Sequence, residues 1–497
     1  MAADELELIG AAPSRSSATS PGQLGLGLRV GYGLGALTYS VSATVLAGTV
    51  LQLYFNQVIG LPAAWVGAAI MVTILIDSIT DPIIGAFSDN LRSALGRRHG
   101  LMYASALPSA LGIFAMWHAP ESLGPVGLLA FMVGMLLFVR VATSFYDIPA
   151  RALAPELAPD YHERTALLAW RFVFLIAGAA AVNALLFQVF LREDAANPQG
   201  VLNRDRYAAF GAFAAVLIFV VVIVSTLATH HRIRHLHVPP ADRRTIGELL
   251  RVLIASLMQP ALFKLQLATL LNGFGGGIHF GLLAYIFLNF WGLKPQEMGY
   301  IVLTAPLGSF LCLWLGPRLS ARMGKRPFMM ACYLGWLVFY VAPFLAYAAG
   351  AMPALGTNAA WQVLAGLEIF AATFAYGTHL VLQSMLTDAV DDVAVKTGYR
   401  SEGVLFATFG LLDKWGAALG AFAAGLILAW VGFPTRAIPG TVAPEIIRSL
   451  VLITVPTIAG CNMVAMVLIS RFRLDQAQHE RNLEELRRLG GSYEGRV

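Results

Sequence analysis

The feature that most constrains this chain is the repetition of long apolar runs along nearly its whole length. They fall at 27–55, 63–89, 101–118, 125–150, 167–190, 207–229, 263–290, 297–316, 327–349, 360–388, 402–431 and 446–470. Crossing the hydrocarbon core of a bilayer takes about 20 apolar residues. In lipid an open backbone finds no water to bond, so such runs fold as helices. The reading is an all-α membrane protein with twelve transmembrane helices. Composition agrees, because the chain is 57% hydrophobic and 13% charged, about half the charge of an ordinary soluble domain. A soluble globular domain is excluded.

The basic residues set an expected orientation, since Lys and Arg gather on the cytoplasmic side. With the N-terminus inside, 17 Lys/Arg fall in cytoplasmic connections, among them Arg92, Arg97, Arg98, Arg243, Arg244, Lys325 and Arg326. Six fall on the opposite side: Arg192, Arg204, Arg206, Lys294, Arg436 and Arg448. Both termini are therefore expected in the cytoplasm. Topology accounts for the net charge of +5 better than a nucleic-acid surface does, and no nucleic-acid partner is expected. Cys312, Cys332 and Cys461 lie in apolar runs without metal-like spacing, so neither a disulfide framework nor a structural metal follows.

Five regions are expected. A flexible cytoplasmic tail at 1–26, without the pattern of a secretory signal, precedes a six-helix N-terminal half at 27–229. A basic linker at 230–262 carries an amphipathic stretch suited to the membrane face. A six-helix C-terminal half at 263–472 and a charged tail at 473–497 complete the chain. The linker's His230, His231, His235 and His237 read as solvated residues rather than a metal site. An internal echo, "GAFSDNLRSALGRR" after the second run and "GPRLSARMGKR" after the eighth, points to duplication. Repeats of this kind recur in transporters, with the substrate site at their interface near the midplane.

Charges inside the apolar runs carry the functional reading. Asp77 and Asp81 stand four residues apart, on one face of the second helix. Asp77 is about 18 Å deeper than Asp89 at the helical rise. An ionised Asp at such depth costs at least about 2.5–3.5 kcal/mol. A bound Na⁺ or H⁺ offsets that cost, with Thr80 between the two acids as a further oxygen ligand; ion pairs with buried arginines are the structural alternative. Arg140, Ser144, Asp147 and Arg151 form one stripe on the fourth helix, with Arg171 early in the fifth. Asp147 either pairs with these bases or joins the cation cage. In the second half, Lys414 in the eleventh run is the candidate for substrate contact or for coupling the halves. Asn272 and His279 flank Gly275–Gly277, a run expected to hinge or unwind the seventh helix. Gate ion pairs are expected among Arg140, Asp89, Arg97, Asp388, Asp392, Arg400 and Glu402.

With those residues assembled, the chain resembles the glycoside–pentoside–hexuronide:cation symporters, the melibiose-permease-like branch of the major facilitator superfamily. The resemblance rests on "DSITDPIIGAFSDNLRSALGRRHG", "YDIPARALAPELAPDYHERTALLAWR" and "TGYRSEG…DKWGAALGAF". It implies the two-half major facilitator fold, with Na⁺ held at Asp77 and Asp81 and with Ser144 and Asp147 nearby. It also implies substrate contact at Asp147, Arg171 and Lys414. Two departures stand out. Ser40 falls where the family has a sugar-binding acid, and Arg151 replaces a sugar-stacking aromatic. Both make the pocket more positive and point to an anionic ligand.

The expected function is symport of a sugar, glycoside or uronide-like solute coupled to Na⁺ or H⁺, by alternating access. The alternative within this scaffold is an anionic amphiphile or lysolipid, as in the vertebrate lysolipid-transporting relatives. The protein is expected to be monomeric in a bacterial inner membrane, with solute and lipid as its partners. No catalytic residue and no cofactor are expected. "DSITD" with "DAVDD" also suits a Mg²⁺-dependent membrane prenyltransferase, but such an enzyme would not need two six-helix halves. A sensor that binds without transporting is a third alternative.

Overall fold

In the computed structural model the described residues are 24–93, 95–158, 160–195, 197–233, 247, 254, 257, 258, 262–397 and 402–471; the side chains of 161, 388–397 and 402–404 are outside that set. Among the described residues every regular element is helical. The first run is a bent pair, Leu26–Val45 and Gly48–Val58, meeting at 42° (together α1). Then come α2 Ala63–Asn90, α3 His99–Met116, α4 Pro125–Ala152, α5 Tyr161–Leu185 and α6 Arg204–His230. The second half has α7 Phe263–Tyr285, α8 Pro295–Met323, α9 Lys325–Ala348, α10 Asn358–Thr397, α11 Glu402–Trp430 and α12 Pro444–Ser470. Ten of these are long and apolar enough to cross a membrane, eleven with the bent pair. The remaining run is the 18-residue α3, which carries Ser105, Pro108 and Ser109. The chain is an all-helical, multi-pass membrane protein.

Helix ends follow local chemistry. Pro125 and Pro444 open α4 and α12, where a missing N–H is harmless and the fixed φ suits the first turn. Asp160 caps α5 by accepting from the His162 and Glu163 amides, and Asn203 caps α6 through the Asp205 amide. A second internal echo lies at the ends of α1 and α7. Both finish in π-helical turns, Gln52–Val58 and Ile286–Phe290. Each is followed by a left-handed glycine, Gly60 at φ 96° and Gly292 at φ 64°, and then by a leucine. Glycine is the residue that takes such angles without strain.

The face where α6 ends and α7 begins is the linker face; the opposite one is the far face. The halves meet along α11, which packs against α7 of its own half and α2 of the other. Glycines permit both approaches. A Cβ at Gly277 of α7 would sit 2.3 Å from the Ala417 carbonyl oxygen, and one at Gly416 of α11 would sit 2.3 Å from that of Leu270. Across the seam, a Cβ at Gly425 would meet the Ala63 carbonyl oxygen at 2.4 Å. The expected hinge at Gly275–Gly277 is therefore not what these glycines form. α7 runs through them without a break, and Gly273 and Gly277 are the surface on which α11 lies.

At the far face, the Tyr285 hydroxyl donates to Asn56 Oδ1 at 2.7 Å. Gln57 donates to the Pro434 carbonyl at 3.1 Å and accepts from the Ala437 amide at 2.9 Å. Arg436 donates to the Ile59 carbonyl at 2.7 Å. These bonds, with a Thr49 hydroxyl on the Phe280 carbonyl, join the halves on that side.

Candidate functional site

Among the described residues, two clusters of charge are centred on the acids expected inside the apolar runs. The first is centred on α2. Its Asp77 and Asp81 project toward α11, and Lys414 spans them, with Nζ 3.0 Å from Asp77 Oδ2 and 2.5 Å from Asp81 Oδ2. Arg140 of α4 adds a guanidinium 3.9 Å from Asp77 Oδ2, and Ser144 donates to Asp81 Oδ1 at 2.8 Å. Two carboxylates thus face two cations, and the cluster is balanced in formal charge. One residue on, the Trp415 indole donates to Ser78 at 2.9 Å, a second bond across the seam. Thr80 stands at the rim, its hydroxyl donating to the Asp77 backbone carbonyl at 3.1 Å.

Access to the cluster is graded. The Asp77 side chain is 8% exposed, whereas Asp81 is 27% and Lys414 41% exposed. The oxygens of Asp77, Asp81 and Ser144 form a hard donor set of the sort that suits a hard cation. A cation entering here meets Lys414 as its competitor.

The second cluster lies between α4, α5 and α1. Asp147 accepts from Arg171 at 2.7 Å through Oδ1, and pairs with Arg151 at 2.6 Å through Oδ2. Two guanidiniums share one carboxylate, which leaves an excess positive charge. The Arg151 side chain is 57% exposed and lies over the Tyr39 ring, 5.3 Å from its centroid; Arg171 lies 5.7 Å over Tyr32. Such cation–π contacts contribute about 0.5–2 kcal/mol. They hold both guanidiniums at a cavity lined by Tyr39, Arg151, Leu168, Arg171, Phe172 and Leu175. Arg171 Nη1 is buried without a hydrogen-bond partner.

Some expected positions take one of their alternatives and others differ. Lys414, expected at the substrate or between the halves, joins the halves at the two aspartates. Arg140, expected at a gate, belongs to the aspartate cluster. Of the two arrangements left open for Asp147, the structure has the pairing with arginines, because α4 turns it toward α5. Ser40 is fully buried, its hydroxyl donating to the Leu175 carbonyl at 2.8 Å; the cavity is lined instead by its neighbour Tyr39. Asn272 is partly buried, and its side chain makes no hydrogen bond among the described residues. Asp89 and Arg97 fall in an ion-pair group within the first half. There Glu156 receives Arg97 and, at 2.6 Å, Arg98, which also reaches Asp89 at 3.3 Å. Arg400 and the side chains of Asp388, Asp392 and Glu402 lie outside the described residues.

Sequence reasoning missed Glu156, Tyr39 and Trp415. Glu156 had a signal, an acid in the short "APEL" segment facing the Arg97–Arg98 pair. Tyr39 and Trp415 had none that separates them from membrane aromatics in general.

A family model described as MFS/sugar transport protein matches residues 31–476. A symporter of Synechocystis sp. is 27% identical over 498 residues, covering 86% of this chain and 90% of its own. An Escherichia coli protein provisionally named a glycoside/cation symporter is 24% identical over 467 residues, covering 92% and 94%. The inward-open structure of the xylose transporter XylE from E. coli aligns with a TM-score of 0.61 at 15% identity, over 93% of this chain and 98% of that one. That likeness shows the fold.

Proposed function

Because this chain belongs to the MFS/sugar transport protein family, whose members are transporters rather than prenyl-transferring enzymes, we propose that it is a cation-coupled symporter of a sugar-sized solute bearing an anionic group. The observation that carries the coupling is the Lys414 bridge. Its ammonium, from one half, bridges two carboxylates on the other and supplies one of the two positive charges that balance them. Na⁺ or H⁺ entering from the cavity takes over that role and frees Lys414. The seam at mid-depth is thereby loosened to the Trp415–Ser78 bond, and the halves rock about the site.

The solute's anionic group meets Arg151 and the free edge of Arg171, while its ring lies against Tyr39. A ligand shifts the equilibrium between the two orientations only by its differential affinity for them. Cation and solute therefore favour each other's binding by the same factor. Asp77 and Asp81, with Ser144 and Thr80, are the cation ligands in this reading, and Asp147 is the acid that orients the two arginines. The oxygen set suits Na⁺, whereas a proton needs only one of the two carboxylates. With the linker face cytoplasmic, as this reading has it, the Tyr285–Asn56 and Arg436–Ile59 bonds close the outer side. The chain works as a monomer in a bacterial inner membrane, with residues 27–229 and 263–472 as its two moving halves.

A second reading has one observation in its favour. Leu168 and Phe172 leave 46% and 39% of their surface exposed beside Arg151. An acyl chain attached to an anionic headgroup would cover that wall.

The test is uptake into proteoliposomes under separate Na⁺ and H⁺ gradients, using hexuronides, neutral disaccharides and lysophospholipids. The proposal expects accumulation of an anionic solute under one gradient and its loss when that gradient is collapsed. Uptake of neutral and anionic solutes alike, indifferent to both gradients, would overturn it.

A further inference from the structure

Away from both clusters, a cavity in the second half brings together four polar side chains from four helices. They are His279 of α7, Tyr340 of α9, Glu368 of α10 and Thr454 of α12, set in a wall that includes Phe287, Trp291 and Phe344. Glu368 lies ten residues from Asn358, where α10 starts at the far face, a depth of about 15 Å. His279 lies eleven residues before Phe290, where the last turn of α7 ends at that face, about 16 Å deep. The two share one level near the middle of the membrane.

Both side chains are partly buried, and neither has a polar partner among the described residues. Among the described residues the Glu368 carboxyl makes no hydrogen bond and no ion pair, and no Lys or Arg lines its cavity. The other titratable groups near it are His279, which contacts Tyr340 and Phe280 only through their rings, Tyr340, and Tyr376 on its own helix. α8 brings only the apolar Ile301, α11 brings nothing charged, and α12 brings Thr454. The Thr454 hydroxyl is fully buried and has no partner. An isolated carboxylate in such surroundings is far costlier than its protonated form. Intramembrane acids of this kind mark ion or proton pathways.

We propose that Glu368 is a second proton-binding site, in the C-terminal half, separate from the Asp77–Asp81 cluster and served by His279. In the resting state the carboxyl carries the proton. When the cavity is wetted, the O–H bond breaks, its electron pair stays on the carboxylate, and the proton passes to entering water or to the His279 imidazole. Thr454 and Tyr340 supply the hydroxyls that line the same cavity.

The test is infrared difference spectroscopy of the purified full-length protein across pH, which needs no transported solute. The proposal expects a carbonyl-stretch band from a protonated carboxyl that disappears reversibly as pH rises. The band is expected to vanish in Glu368→Gln, to shift in Glu368→Asp, and to survive in Asp77→Asn and Asp81→Asn. His279→Gln should move its midpoint by at least about half a pH unit, a threefold change in proton affinity. A spectrum unchanged by Glu368→Gln, or a band that persists at every pH, overturns the proposal. If Glu368→Gln does not fold, the shift in Glu368→Asp decides alone. Loss of gradient-driven uptake in Asp77→Asn would leave this result untouched, so the two proposals fail separately.

Discussion

Lys414 reaches Asp77 across the boundary between the two halves, ammonium to carboxylate at 3.0 Å, and the same ammonium holds Asp81. The chain thus answers the cost of two acids in the membrane with a cation of its own, tethered to the opposite half. Because that cation is covalently part of α11, whatever replaces it at the acids also changes how firmly the halves are joined. Lys414 is the more accessible member, at 41% exposure against 8% for Asp77.

Replacing Lys414 by Met should separate the cation's two roles. Without the ammonium, Asp77 keeps only Arg140 at 3.9 Å, and Asp81 keeps only a hydroxyl. Breaking a buried pair costs about 3–5 kcal/mol, and the exposure of Lys414 reduces this to about 1–3 kcal/mol. The melting temperature in Na⁺-free buffer is expected to fall. Added Na⁺ should restore part of it at concentrations at least tenfold lower than those that stabilise the wild type. A melting curve equally insensitive to Na⁺ in both proteins would show that Lys414 and Na⁺ do not compete.

Asp77→Asn and Asp81→Asn should both abolish gradient-driven uptake, but they should not be equal in stability. Asp77 faces Lys414 and Arg140 at 8% exposure, whereas Asp81 is 27% exposed. Neutralising Asp77 leaves two cations with one partially solvated acid. Its loss of stability should exceed that of Asp81→Asn by about 1 kcal/mol or more. Chemical denaturation in detergent measures the difference, and the reverse order would count against the described geometry.

Arg151 and Arg171 should divide binding from structure. Arg151 is exposed to the cavity, so Arg151→Gln is expected to weaken an anionic solute at least tenfold, about 1.4 kcal/mol. Expression and the affinity for neutral analogues should be little changed. Arg171 is 12% exposed and is the buried partner of Asp147. Its loss should lower thermal stability as well as affinity. Calorimetric titration with charged and neutral analogues of one solute distinguishes the two, and equal losses for both analogues in Arg151→Gln would remove Arg151 from anion recognition.

Most of the fold was legible because hydropathy reports burial in lipid directly, and every apolar run coincides with a helix. The acids Asp77 and Asp81 were legible for the same reason, since an uncompensated charge in such a run is conspicuous. Partnership was not. Lys414 lies 333 residues beyond Asp81, and only the docking of α11 on α2 reveals that it serves both acids. Asp147 was ambiguous between two neighbours because a stripe on one helix does not say which helix faces it. Glycine was the residue type that misled. Three in a row lower helix propensity locally, yet propensity yields to packing once another helix lies against them.

That last point can be decided at two adjacent positions. A Cβ at Gly276 meets nothing within 4 Å, whereas one at Gly277 would lie 2.3 Å from the Ala417 carbonyl oxygen and 2.9 Å from the Ala421 amide. If the run were a hinge, Gly276→Ala and Gly277→Ala would stiffen it alike and impair transport alike. Packing predicts a split. Gly276→Ala should be neutral or stabilising by about 0.5–1 kcal/mol, the helix-propensity gain. Gly277→Ala should push α11 off α7 at a cost of about 1–3 kcal/mol, the usual penalty of overpacking. Because α11 carries Lys414, the same displacement should weaken the hold on Asp77 and Asp81, and cation-dependent stabilisation should change only in Gly277→Ala. Melting curves of both variants with and without Na⁺ read out the difference, and matched behaviour of the two would restore the hinge.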